Sequence, residues 1–256
     1  MTTDADHLVN LRLRQRPENR LLASVPPDDF DRIARHLVKV ALSKGQVLYK
    51  EDETIRDVFF LNSGLCSLTK TMQNGATSEI AAIGNEGVIG ASVYFGEKHS
   101  MIRAMVPVAG IEAFKMTVDA FVEEMERRSH FYSTVVRYTQ AFTSQIIQTG
   151  VCNSIHSAEQ RCCRWLLMTH DRVDSDDFPL TQEFLAQMLG VARPTVNIAG
   201  ATLQKAGFIE YTRGRITVLD RAGLESASCE CYRRIRQELE YSVNGLDRPG
   251  MRKRRK

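Results

Sequence analysis

The sequence predicts an α+β protein with an N-terminal antiparallel β-roll or jelly-roll barrel, one long helix and a C-terminal winged helix-turn-helix. Three observations carry this. Short β-rich runs alternate with Gly, Asn and Asp turns from residue 38 to 115. A stretch from 129 to 155 has no proline and repeats apolar residues at steps of three and four. From 180 to 218, two short amphipathic segments flank Gly190 and lead into a hairpin with a basic tip.

The first twenty residues are polar and carry Arg12, Arg14, Arg16 and Arg20, which predicts a loosely ordered lead. Pro26-Pro27-Asp28-Asp29 then opens a short helix through Phe30, Ile33 and Leu37, because proline and acids suit a helix's first turn. Strands are expected at 38–42, 46–49, 57–62, 65–72, 78–83, 103–106 and 111–115. Many short strands at regular spacing argue for an antiparallel barrel or sandwich rather than a parallel α/β sheet. Helices take over at Val118. In the long one, Phe131, Val135, Tyr138, Phe142 and Ile146 form a near-heptad stripe, read here as the seam of a homodimer in preference to a helix packed wholly on its own domain. A helix at Arg161, Trp165, Leu166 and Leu167 should support the winged helix, and another is expected over 224–239. The resulting domains are a lead at 1–20, a barrel at 21–128, a dimerisation helix at 129–155, a winged helix-turn-helix at 156–225, and a C-terminal helix with basic tail at 226–256.

Within the helix-turn-helix, Thr181 is placed to cap the first helix, followed by Gln182. Phe184, Leu185, Met188 and Leu189 make its apolar face, and Gly190 ends it. Pro194 fits the first turn of the second helix, where a missing N–H costs nothing. Val196, Ala199, Leu203 and Ala206 then face the core, leaving Arg193, Asn197, Ala201, Gln204 and Lys205 outward; Thr181, Gln182, Arg193, Pro194, Thr195, Asn197 and Lys205 are the candidate contacts to a DNA major groove. The hairpin tip Arg213-Gly214-Arg215 sets two arginines where phosphate contact suits them better than packing.

Composition excludes less. A net charge of +3 is too small to argue for nucleic acid by itself. Cysteines at 66, 152, 162, 163, 229 and 231 show no paired C-x-x-C spacing, so no metal site is expected. Cys162-Cys163 and Cys229-Glu230-Cys231 read as buried thiols rather than redox sensors. No apolar run reaches membrane-spanning length, and Asp4 and Asp6 stand where a signal peptide would be basic, so a cytoplasmic protein with reduced thiols is expected. No paired carboxylates, nucleophile–base pair or lysine-bearing phosphate loop points to an enzyme. The competing class is a ligand-sensing module that regulates a partner protein. Basic Arg193, Lys205, Arg213 and Arg215 on the outward side favour double-stranded DNA.

In this order the three parts resemble the Crp–Fnr superfamily of bacterial transcription regulators over residues 25–225. Residues 44–49 (Lys-Gly-Gln-Val-Leu-Tyr) and 57–64 (Asp-Val-Phe-Phe-Leu-Asn-Ser-Gly) are similar to its opening barrel strands. Val88-Ile89-Gly90 and Tyr94-Phe95 resemble its phosphate-binding cassette, and Gly190, Arg193, Thr195 and Val196 its helix-turn-helix. The resemblance implies a homodimer that binds a palindromic site and contacts RNA polymerase. Cyclic-AMP-binding members carry a Gly-Glu and an Arg-Ser pair in the cassette; here Gly90-Ala91 and His99-Ser100 align with them. Alanine accepts no hydrogen bond and neutral histidine replaces a fixed guanidinium poorly, so the effector pocket is not expected to hold cyclic AMP. Oxygen-sensing members place cysteines ahead of the barrel, and none precedes Cys66, so no iron–sulfur cluster is expected and the effector stays unassigned. The recognition helix keeps Arg193 but has Pro194 and Ile198 where the cyclic-AMP type has Glu and a second Arg, so a different operator is implied.

Overall fold

The computed structural model describes residues 17–107 and 111–245; the basic tail, Arg12, Arg14 and Arg16 lie outside them. Asn19, one residue ahead of the expected boundary at 20, is already part of the fold. Asn19 is fully buried, donates to the Leu61 and Gly87 carbonyls, and caps a single helical turn, α1 (Arg20–Ala23). α2 (Pro27–Ile33) follows, then a 3-10 turn.

Two antiparallel sheets form the roll. One has the order β1 (Val38–Leu42), β7 (Ile111–Thr117), β3 (Asp57–Leu61). The other has β2 (Val47–Tyr49), β6 (Arg103–Met105), β4 (Cys66–Thr71), β5 (Thr77–Ile83). β3 is apolar on both faces because it is covered on both, with Val58, Phe59, Phe60 and Leu61 buried. All seven strands overlap the runs expected from sequence.

α3 (Val118–Glu126) leads into the 26-residue α4 (His130–Ile155), which starts where the Ser129 hydroxyl accepts from the Phe131 N–H. The near-heptad stripe does not behave as expected. Phe131, Val135 and Tyr138 are buried in their own chain, and Phe131 lies 5.9 Å from the Phe121 ring and 6.4 Å from Phe60. Phe142 and Ile146 are half-buried beside the same core. The barrel therefore takes the stripe that was read as a dimer seam. A 3–4 repeat records that a helix face is covered, not which chain covers it.

α5 (Ala158–His170) opens on a capping box, the Ser157 hydroxyl accepting from the Gln160 N–H while the Gln160 side chain accepts from the Ser157 N–H. Beyond it come β8 (Asp177–Pro179), α6 (Gln182–Leu189), α7 (Arg193–Lys205), β9 (Ile209–Thr212) and β10 (Arg215–Val218). The wing is three-stranded, in the order β8-β10-β9, with a strand that was too short to read from sequence. The expected helix over 224–239 divides into α8 (Arg221–Ala227) and α9 (Cys231–Asn244), because Ser228 turns to an extended conformation between them.

Glu86 and Arg172 form a salt bridge of 2.7 Å with both side chains 5% exposed. It ties the turn after β5 to the end of α5. Burial pushes the Glu86 carboxyl up, but the charge and hydrogen bonds of Arg172 and the Gly84 N–H hold it below the usual range. Removing one partner of such a pair strands the other charge. Arg172→Ala should cost about 3–5 kcal/mol in denaturant-induced unfolding, with Arg172→Ala/Glu86→Leu recovering part of that loss.

Candidate nucleic-acid interface and effector pocket

The helix-turn-helix is built as its sequence dictates. The Thr181 hydroxyl accepts from the Phe184 N–H at 3.1 Å, with Gln182 the first residue of α6. Gly190 takes φ 61°, ψ 40°, a left-handed turn that costs glycine little. Arg193 is the first residue of α7 and Pro194 the second, with no cation or carboxylate paired to Arg193 among the described residues. Val196, Ala199 and Leu203 are buried, whereas Ala206, expected in the core, is exposed at the C-cap. Arg193, Pro194, Asn197 and Lys205 are exposed and Thr195 half-buried, so the set expected to meet DNA shares one open face. Ile198 joins it at 64% exposure.

The two wing arginines part company. Arg213 (φ 51°) and Gly214 (φ 77°) occupy the two left-handed positions of a tight hairpin, paired Arg215 to Thr212 across it. Arg213 is exposed and makes no ion pair among the described residues. Arg215 is instead held by Asp177 on the neighbouring strand, its Nε 2.9 Å from Oδ2. Of the two, only Arg213 is without an ion pair among the described residues.

A cavity of about 370 Å³ opens between the roll and α4, lined by Tyr49, Leu68, Ile83, Ile89, Tyr138 and Phe142 among others. Gly90, Ala91 and Ser100 line it as the sequence suggested. His99 does not. It is exposed and bridges in register with Thr54, on the outside. The Ser100 hydroxyl is already spent on the Ile102 carbonyl at 2.7 Å. Glu97 is the single charged residue among the lining groups, so the pocket presents an anion and no cation.

Two known protein families match parts of this chain. Residues 39–128 match the cyclic nucleotide-binding domain and residues 160–227 the Crp-like helix-turn-helix domain, together more than half of the chain. The chain belongs to the Crp–Fnr superfamily. Among curated proteins no sequence matches. Solved structures share the fold. A Crp/Fnr-family regulator from Eubacterium rectale is 15% identical with TM-score 0.64, the match covering 81% of this chain and 96% of that one. FixK2 from Bradyrhizobium japonicum is 17% identical with TM-score 0.59, covering 75% and 98%. A CRP-family regulator from Thermus thermophilus is 18% identical with TM-score 0.56, covering 74% and 96%. This Crp–Fnr protein is a DNA-binding transcription regulator, and no helix among its described residues is long and apolar enough to cross a membrane.

In this Crp–Fnr chain the helix-turn-helix is docked on its own roll. Gly190 packs so closely on β5 that a Cβ there would lie 2.8 Å from the Ser78 hydroxyl. The Arg193 end of α7 borders a cleft shared with Lys70, Met72 and the β4–β5 turn. At the centre of the contact is Glu79, which sequence reasoning missed because a lone Glu in a strand carries no motif. The Ser67 hydroxyl donates to it at 2.6 Å and Trp165 Nε1 at 2.9 Å, while Ser67 also touches Met188 Sδ at 3.1 Å. Arg161 caps the other side of the turn by donating to the Leu189 carbonyl.

Burial pushes the Glu79 carboxyl up from 4.5 to about 7, against the hydrogen bonds of Ser67 and Trp165 and the charges of Arg164 and Arg172. The docked form thus holds a proton that an undocked or unfolded Glu79 releases near pH 4.5. Stability contributed by this group should be greatest below pH 4.5, decline as pH rises to about 7, and level off above. Melting temperature followed from pH 5 to 8 should show that decline in the parent relative to Glu79→Gln; identical profiles would sink the assignment.

Proposed function

We propose that the protein is a homodimeric, sequence-specific transcription regulator that reads operator DNA with α7 and does so without cyclic AMP. The exposed Arg193 at the N-terminus of α7, with Asn197 and Ile198 one turn on, carries the reading. Arginine there reaches a guanine edge bidentately, asparagine suits adenine, and Ile198 offers apolar contact to a thymine methyl. Thr181, Gln182, Lys205 and the wing's Arg213 fix the duplex through its phosphates. Contact with RNA polymerase belongs to the same reading, through the family resemblance alone.

The pocket supports independence from cyclic AMP. A cyclic phosphate entering it would face Glu97 and no cation, with Ala91 where a carboxylate would hold the ribose. The lining suits a mainly apolar effector. The dimer surface in this reading lies on the side of α4 opposite the Phe131–Ile146 stripe, which the roll covers. Val136, Ile147, Val151 and Ile155 are exposed there, Ile147 at 63% and Ile155 at 71%, with Thr143 between them at helical spacing.

In fluorescence-anisotropy titrations on a selected operator, Arg193→Ala should lose about 1–3 kcal/mol of affinity and relax base preference at one position. Arg213→Ala should weaken all sequences alike and reduce the salt slope by about one; Arg215→Ala, already paired, should do much less. Added cyclic AMP should leave all three curves unmoved, and DNA binding that appears only with the nucleotide would overturn the reading of the pocket. A charge buried unpaired at an interface costs several kcal/mol, so Ile147→Glu should sediment as a monomer. A monomeric parent would refute the dimer.

A further inference from the structure

Three of the six cysteines form a buried cluster of their own, separate from the main apolar core. Cys152 faces inward on the last full turn of α4, and His156 follows four residues later as that helix's C-cap. Cys229 and Cys231 straddle Glu230 where α8 gives way to α9. One ligand atom from each of the four lies within 4.8 Å of all the others. Cys152 Sγ is 3.5 Å from Cys229 Sγ, and Cys231 Sγ is 3.6 Å from His156 Nδ1.

The two shortest of these spacings are close to the edges of a metal tetrahedron. With Zn–S near 2.3 Å and Zn–N near 2.05 Å, a regular tetrahedral site has S···S edges of about 3.8 Å and S···N edges of about 3.5 Å. We propose that Cys152, His156, Cys229 and Cys231 form a closed Cys3His site for one thiophilic divalent ion, zinc by its ligand set, that clips the start of α9 to the end of α4.

The surroundings fit that role. His156 Nε2 lies 3.2 Å from the Glu230 carboxylate, which assigns the ring proton to Nε2 and leaves the Nδ1 lone pair facing the thiols. Gln148 donates an N–H to Cys231 Sγ at 3.1 Å, the bond a metal-bound thiolate accepts. All six thiols are free, so no disulfide uses the cluster, and a Cys152–Cys229 bond would leave His156 and Cys231 without a role. An iron–sulfur cluster holds its ligands on different irons, so they stand farther apart; four atoms within 4.8 Å enclose one ion. Binding releases the cysteine protons, as any thiolate site must. The ion would stiffen the joint after Ile155, where α4 passes into the DNA-binding domain.

The test uses the full chain, purified under reducing conditions with zinc and then desalted. Elemental analysis should find one zinc per chain, and cobalt substitution should give the intense visible bands of a tetrahedral thiolate site. Zinc should shield Cys152, Cys229 and Cys231, but not Cys66, Cys162 or Cys163, against alkylation in a partly unfolding denaturant, mapped by mass spectrometry. Cys229→Ser and His156→Asn should weaken zinc binding at least tenfold, while Cys163→Ser keeps it. Should a ligand variant fail to fold, the alkylation map of the unsubstituted chain decides. A parent that retains no zinc, an octahedral cobalt spectrum, zinc that persists in Cys152→Ser/Cys229→Ser, or equal alkylation of all thiols with and without zinc would each overturn the site. None of these readouts requires DNA binding.

Discussion

The inward face of α4 is the constraint on which the other sites rest. A helix rises 1.5 Å per residue, so its 26 residues run about 39 Å along the molecule, past every functional region in turn. Its first turns give Phe131 and Val135 to the core of the roll. The next give Tyr138, Phe142 and Ile146 to the wall of the apolar cavity. Gln145 donates to the Ala82 carbonyl of β5, and Thr149 and Asn153 border the cleft beneath the helix-turn-helix. Its last turn supplies Cys152 and His156. Any shift of α4 along the roll is felt at all of these places, because close-packed interiors repack in steps rather than deform smoothly.

For the proposed regulator, that geometry offers a route from the cavity to DNA. Tyr138 stacks on Phe142 at 6.0 Å, and both line the cavity, so an occupant that displaces Phe142 pushes on the helix one turn below Gln145. Gln145 is tied to β5, and β5 carries Glu79, the group that accepts from Trp165 of the DNA-binding domain. Some of the buried polar bonds join different domains, Glu79 to Trp165 and Glu86 to Arg172 among them. Breaking one exposes a carboxyl or indole N–H without replacement, which makes the docked arrangement a discrete state rather than one of a continuum. The Glu86–Arg172 pair is a second such tie from the roll to α5 and resists the same separation.

The wing shows how local charge decides what a basic tip can do. Two arginines flank Gly214 in sequence and look equivalent there. Pairing across β8 and β10 places Asp177 beside Arg215, whose guanidinium is then occupied within the domain. Arg213, in the left-handed position at the tip, has no carboxylate in reach among the described residues. One arginine steadies the wing and the other is left to solvent.

Much of the fold was legible in the sequence, since its signals are local. Alternation of apolar runs with Gly and Asn turns located the strands, Thr181 and Gly190 bounded the first helix of the helix-turn-helix, and Pro194 marked the second. The order of roll, helix and winged domain, and so the family, followed from these. Tertiary structure decided what each face was for. It turned Phe131, Val135 and Tyr138 inward and left Ile147 and Ile155 outside, a choice that periodicity does not contain because covered faces look alike whichever chain covers them. It moved His99 out of the pocket, where strand pairing with Thr54 outweighed its alignment with an arginine. It put Glu79 between two domains and gathered Cys152, His156, Cys229 and Cys231 from opposite ends of three helices. Groups separated by more than seventy residues share no spacing that a sequence can show; only packing of α9 on α4 brings them within a bond length or two of a common centre.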